Sequence, residues 1–121
     1  MEHSLSSFHQ ELPHGAGLIM LSEAYFTYFI EHHVCDGRFV RLAQALGMTD
    51  ATEPMDFITA LKHLQNECGV GDLKMSDYGI TPDEFPQMAH IAKTAMAFLF
   101  TSDRIDLSEE DVVDIYQKAY K

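Results

Sequence analysis

Apolar residues recur along this chain at the three- and four-residue spacing of helices almost from end to end. From Gly17 to about His33 they fall on nearly every face: Leu18, Ile19, Met20, Leu21, Ala24, Tyr25, Phe26, Phe29 and Ile30. A helix that is apolar all round is usually surrounded by others. Val34-Cys35-Asp36-Gly37 then breaks it. A second helix is predicted from about Arg38 to Leu46, with Phe39, Leu42, Ala43 and Leu46 on one stripe and Gly47 closing it. A third begins near Asp50 or Thr52 and tolerates Pro54 in its first turn. It carries Phe57, Ile58, Leu61 and Leu64, and it ends at Gly69. Residues 70–79 hold two glycines and no sustained period, so they read as a connection.

Thr81-Pro82-Asp83-Glu84 is a well-formed helix start, with Thr81 as N-cap, Pro82 at the first helical position and Glu84 able to complete a capping box. That helix continues, with Pro86 still in its first turn, through Met88, Ile91, Ala92, Ala95, Met96 and Leu99. Ser108-Glu109-Glu110-Asp111 repeats the signal and opens a last helix bearing Val112, Ile115, Tyr116 and Ala119. No stretch alternates with period two, and the segment ahead of Gly17 reads as a polar, breaker-rich lead-in. The fold class is all-α.

The 121 residues leave room for one domain. At 46% hydrophobic and 22% charged, the chain can bury a core. The net charge of −11 excludes nucleic acid and anionic membranes as partners, since both need clustered Lys or Arg. Two cysteines, Cys35 and Cys68, make no disulfide framework and no C-x-x-C zinc pair. The first ten residues are polar and unlike a signal peptide. The longest apolar stretch, Ala16–Ile30, is interrupted by Ser22, Glu23 and Thr27 and is too short to span a bilayer. These features describe a soluble, cytoplasmic type of protein.

Histidines carry the candidate chemistry. His3, His9 and His14 crowd the first fourteen residues. In Pro13-His14-Gly15, the proline fixes the approach of the chain and the glycine admits a close neighbour. His14 would then stand at the mouth of a buried helix, a firm base for a metal ligand. His32-His33-Val34-Cys35-Asp36 also gathers ligand types. Adjacent histidines on a helix point about 100° apart, however, and imidazolium is favoured at a helix C-terminus in any case. His63 and His90 read as surface residues, and the seven methionines read as core filler. No phosphate-binding glycine loop and no partnered nucleophile is present.

Taken together, MEHSLSSFHQELPHGAGLIMLSEAYF resembles the second metal-binding region of the iron-containing (group III) alcohol dehydrogenases: a histidine-rich segment, then Pro-His-Gly, then a buried helix. DLKMSDYGITPDEFPQMAHIAKTA and LSEEDVVDIYQKAY are similar to later parts of the same domain, in the family's order. Ser22-Glu23-Ala24 and Ser102-Asp103 depart from its usual Leu-Pro-His and Asn-Pro.

The resemblance implies a helical bundle like the C-terminal metal-binding domain of that family, the dehydroquinate synthase-like α domain. Residues 1–121 would form part of it, and the N-terminal nucleotide-binding domain would be absent. The implied function is that of a fragment of a metal-dependent, NAD(P)-linked alcohol dehydrogenase, inactive by itself. The intact enzyme acts on CH–OH donors, interconverting a small alcohol and its aldehyde, with Fe2+ or Zn2+ as the metal. By position, His14 matches the last histidine ligand of the motif. His3 matches a site-lining histidine that assists proton transfer, and it is the candidate catalytic residue. The ligand four residues before His3 would fall outside the chain.

Two other readings stay open. One is a non-catalytic helical interaction module, a homo-oligomer formed through an apolar face that the truncation leaves uncovered. The other is an independent site in which His3, His9 and His14 hold copper or nickel.

Overall fold

A computed structural model describes residues Met1–Lys121. It is helical throughout and contains no strand, and no helix is long and apolar enough to cross a membrane. The chain divides into two compact units, Met1–Ser22 with Leu73–Lys121, and Glu23–Asp72.

The first unit begins with α1 (Glu2–Phe8), where a lead-in without helix is expected. Seven residues do not hold a helix by their own propensity. Tertiary anchors hold this one: Leu5 is fully buried, and the Ser4 hydroxyl donates to the Met88 carbonyl at 2.7 Å. Helix α2 (His14–Glu31) follows, starting three residues earlier than the apolar stripe suggests. The Pro13 carbonyl accepts its first hydrogen bond, from the Gly17 N–H at 3.1 Å.

After residue 73 the unit continues with a 3-10 turn, Met75–Tyr78, ended by Gly79 in the left-handed region at φ 74°. Pro82–Glu84, another 3-10 turn, leads into α5 (Phe85–Ala95). The expected continuation to Leu99 is broken at Met96, and Ala97–Phe100 forms a separate turn, α6. The apolar stripe does run on in the sequence. Beyond Ala92, however, no residue is buried again until Leu107, so burial does not hold the longer helix together. Helix α7 (Glu109–Ala119) starts where expected: Ser108 Oγ accepts from the Asp111 N–H, and Asp111 accepts from the Ser108 N–H at 2.8 Å.

Helix α5 is central in this unit, packed against α1 and α7. Phe85, Met88, Leu107, Val112, Ile115 and Tyr116 are fully buried. Phe85 and Tyr116 stack with ring centroids 5.5 Å apart. The Tyr116 hydroxyl donates to the Met1 carbonyl at 2.8 Å, and burial pushes its pKa up. This bond ties α7 back to the start of α1.

The second unit contains the rest of α2, α3 (Asp36–Ala45) and α4 (Asp56–Glu67), with α3 packed on α4. Phe26, Phe39 and Phe57 meet with centroids 5.3–6.1 Å apart, a geometry that suits aromatic rings beyond mere burial. The break after α2 falls at His32–Cys35 rather than Val34–Gly37, a tight turn with His33 and Cys35 in the left-handed region, and α3 takes in Asp36 and Gly37; Gly47 and Gly69 follow α3 and α4 as expected. Helix α4 starts at Asp56, later than Asp50 or Thr52, because Pro54 lies in the preceding turn rather than the first helical one. The Asp56 carboxylate accepts from the Glu53 and Thr52 N–H groups, which hold its pKa below the usual range. Cys35 and Cys68 are both free thiols.

Of the large apolar side chains on α2, Leu18 alone is exposed. The other exposed ones are Leu42, Leu46, Met55 and Leu64 in the second unit, and Phe98 and Leu99 in the first.

Glu84 supplies a test of how the first unit is held. Burial raises its pKa, but the Thr81 N–H at 2.7 Å and the His9 imidazole at 3.0 and 3.1 Å outweigh that and leave it lowered. A carboxyl depressed by folding contributes stability above its unfolded pKa, and that stability is lost as pH falls through the folded value. Between about pH 5 and pH 3, wild type should therefore lose more of its urea midpoint than Glu84→Gln. Parallel curves for the two proteins would show that Glu84 contributes nothing.

Candidate metal centre

Three metal-ligating side chains meet in the first unit. Glu2, His3 and His14 place one ligand atom each within 4.8 Å of one another. Helix α1 contributes the first two from adjacent positions, and the first residue of α2 contributes the third.

Burial divides the group. The Glu2 side chain is 3% exposed, and that of His14 is 55% exposed. His3 is exposed as well, and its ring stacks on that of His14 with centroids 5.1 Å apart and planes 25° from parallel. So two imidazoles face solvent, and the carboxylate lies at their base. The Ser6 hydroxyl donates to Glu2 Oε1, while Oε2 lies against His14 Nδ1. Oε2 is buried without a hydrogen-bond partner, and that imidazole nitrogen stands beside it. Such an atom calls for a cationic or donating neighbour. Two imidazoles with a carboxylate are also the donor types that zinc and ferrous iron accept. The residues present fit a divalent metal.

Gly17 explains how a carboxylate fits so deep. It lies one turn along α2 from His14, and a methyl group at that position would stand 2.7 Å from Glu2 Oε1 and 2.8 Å from its Cγ. Glycine inside a helix costs about 1 kcal/mol relative to alanine, and here the vacancy is filled by Glu2.

The other histidines stand apart from this group. His9 is engaged with Glu84, so the combination of His3, His9 and His14 on one ion is not the one the fold assembles. His32 directs Nδ1 at the Tyr28 carbonyl at 2.7 Å and stacks on the Tyr28 ring, while His33 pairs with Asp36 at 3.2 Å. His90 pairs with Glu109 at 3.0 Å on the surface, and His63 is exposed. Glu2 is the member of the group that sequence reasoning missed. Its only signal there is adjacency to His3, which becomes informative once α1 is known to be a docked helix.

A family model described as "Fe-containing alcohol dehydrogenase family, C-terminal" matches residues 1–120. The chain belongs to the Fe-containing alcohol dehydrogenase family. Among solved structures, it is similar to an archaeal halo-thermophilic alcohol dehydrogenase from a Red Sea brine pool. That protein is represented by a histidine-to-alanine mutant and by a form bound to NZQ. Both give a TM-score of 0.82 at 24% identity, over 98% of this chain and 32% of theirs. At that identity the likeness is one of fold, and the chain spans about a third of the length of the dehydrogenase it matches. No curated protein matches it. The family assignment agrees with the resemblance carried by the Pro-His-Gly segment, and the all-α expectation holds over the whole chain.

Gly15 and Gly17 make an internal control for the packing of helix α2. Nothing lies within 4 Å of a Cβ added at Gly15. Gly15→Ala should stabilise the chain by a few tenths to about 1 kcal/mol in urea denaturation, the ordinary glycine-to-alanine gain. Gly17→Ala should show no gain or a loss, because the methyl group displaces Glu2. Equal gains at both positions would mean that Glu2 is not packed there.

Proposed function

We propose that this chain contributes part of the metal site of an NAD(P)-linked alcohol dehydrogenase. The observation that carries this reading is the convergence of His14, His3 and Glu2 in a member of the Fe-containing family. In the proposal, residues 1–121 are part of the C-terminal helical domain, and the nucleotide-binding domain that completes the enzyme is a separate part of the architecture. His14 holds the metal, Fe2+ or Zn2+, together with ligands from other parts of the family's domain. The chemistry that such a metal supplies when bound is Lewis-acid polarisation of an alcohol oxygen.

His3 is the group we assign to proton movement. Its exposed imidazole lies against the ring of His14, so it can exchange a proton with a hydroxyl brought to the same place and pass it to solvent. The substrate class is a small alcohol or its aldehyde, and the setting is the cytoplasm. Catalysis needs the nicotinamide held within a few ångströms of the reacting carbon. The 121 residues by themselves are therefore expected to show no alcohol oxidation. Calorimetric titration of the metal-free chain with Zn(II), and anaerobically with Fe(II), tests the site. Binding of one ion per chain at roughly micromolar Kd, weakened at least about tenfold in His14→Ala, is the expected result. Absent binding, or binding that the substitution does not change, overturns His14 as a ligand.

A second reading has its own observation. Leu42 on α3 and Leu46 just past its end are 45% and 38% exposed, and Phe98 on α6 is 66% exposed. Exposed apolar side chains of this size favour association, here as a homo-oligomeric helical module. Sedimentation equilibrium decides it. Self-association weakened by Leu42→Glu or Phe98→Glu supports the module, and a monomer at tens of micromolar rejects it.

A further inference from the structure

We infer that Glu2 is a positioning residue: its buried carboxylate holds the imidazole of His14 with the proton on Nδ1 and so presents Nε2 as the ligand atom. The inference rests on the metal reading of His14 given above and goes beyond it, to the carboxylate that aims the ring.

Both oxygens of the Glu2 side chain face groups within the protein. Oε1 accepts from Ser6, one turn further along α1. Oε2 lies against His14 Nδ1 and has no hydrogen-bond partner elsewhere. The backbone of α2 closes the space beneath Oε1 and Cγ, where Gly17 leaves just the room the carboxylate fills. A side chain held in this way, 3% exposed under two exposed rings, is poorly disposed to turn outward as a ligand. It is well disposed to be an acceptor at the inner nitrogen of the ring above it. A carboxylate oxygen set against Nδ1 is an acceptor, and Nδ1 is then the ring nitrogen that carries hydrogen. In the neutral ring that leaves the lone pair on Nε2, on the more exposed side of the group. A carboxylate that hydrogen-bonds a ligand imidazole fixes its tautomer and orientation and raises its basicity. Ser4 and Leu5 supply the rigidity, because they fasten the same turn of α1 to α5.

The first test needs no variant. Long-range 1H–15N NMR of the metal-free 121-residue chain, at mildly alkaline pH, reports which nitrogen of each histidine carries the proton. His14 is expected as the Nδ1–H form, against the Nε2–H preference of a histidine side chain in water. An Nε2–H His14 overturns the inference.

Two variants extend the test, Glu2→Leu, which removes the acceptor, and Glu2→Gln, which keeps the size and removes the charge. Circular dichroism checks that each is folded. Glu2→Leu is expected to return His14 to Nε2–H and to weaken Zn(II) binding about 10- to 100-fold, with Glu2→Gln also weakened but by less. If either folded variant loses Zn(II) as completely as His14→Ala while the His14 tautomer stays unchanged, Glu2 is a ligand and the inference fails. The two readings fail separately. A chain that binds no Zn(II) but keeps His14 as Nδ1–H overturns the metal reading and leaves the pairing standing. A chain that binds Zn(II) with His14 as Nε2–H does the reverse.

Discussion

The hydrogen bond from the Ser4 hydroxyl to the Met88 carbonyl, with Leu5 buried beside it, is the constraint on which the candidate site depends. Helix α1 has seven residues, too few to persist on propensity, and it exists because α5 receives it. Once that turn is seated, Glu2 and Ser6 are brought one turn apart on the same helix, and Glu2 enters the space left open at Gly17. His3, next in sequence to Glu2, is carried to the solvent side, against His14. A single docking event thus delivers three side chains to one place. The Tyr116 hydroxyl on the Met1 carbonyl secures the same helix from α7.

Polarity in the group follows from depth. A carboxylate at the base, with an imidazole beside its buried oxygen, makes positive charge or a donating N–H favourable directly above it. The chain as a whole carries −11, a field that attracts cations and repels anions. Such a field suits a divalent metal better than a phosphate-bearing ligand.

Much of the architecture was legible from residue pattern alone. The capping residues Thr81 and Ser108 and the terminating Gly47 and Gly69 act within a few residues, so their effects survive in the linear sequence. The Pro-His-Gly segment led to the family as a contiguous motif of three positions, although Gly15 itself has no close neighbour in the fold. The errors share another cause. Helix α1 was not foreseen because its stability comes from residues more than eighty positions away. The continuation of α5 to Leu99 was foreseen wrongly because the apolar stripe has nothing to bury against beyond Ala92.

The sequence by itself therefore determined the helical class, the order of the main helices and the family, since each is encoded in local spacing or in a short contiguous motif. The tertiary structure decided that Glu2 belongs with His3 and His14, that His9 is engaged by Glu84 instead, and that Gly17 is a vacancy filled by a carboxylate. Those outcomes depend on which helix faces lie against one another. That is a matter of distance in space between α1, α2 and α5, and no periodicity along the chain records it.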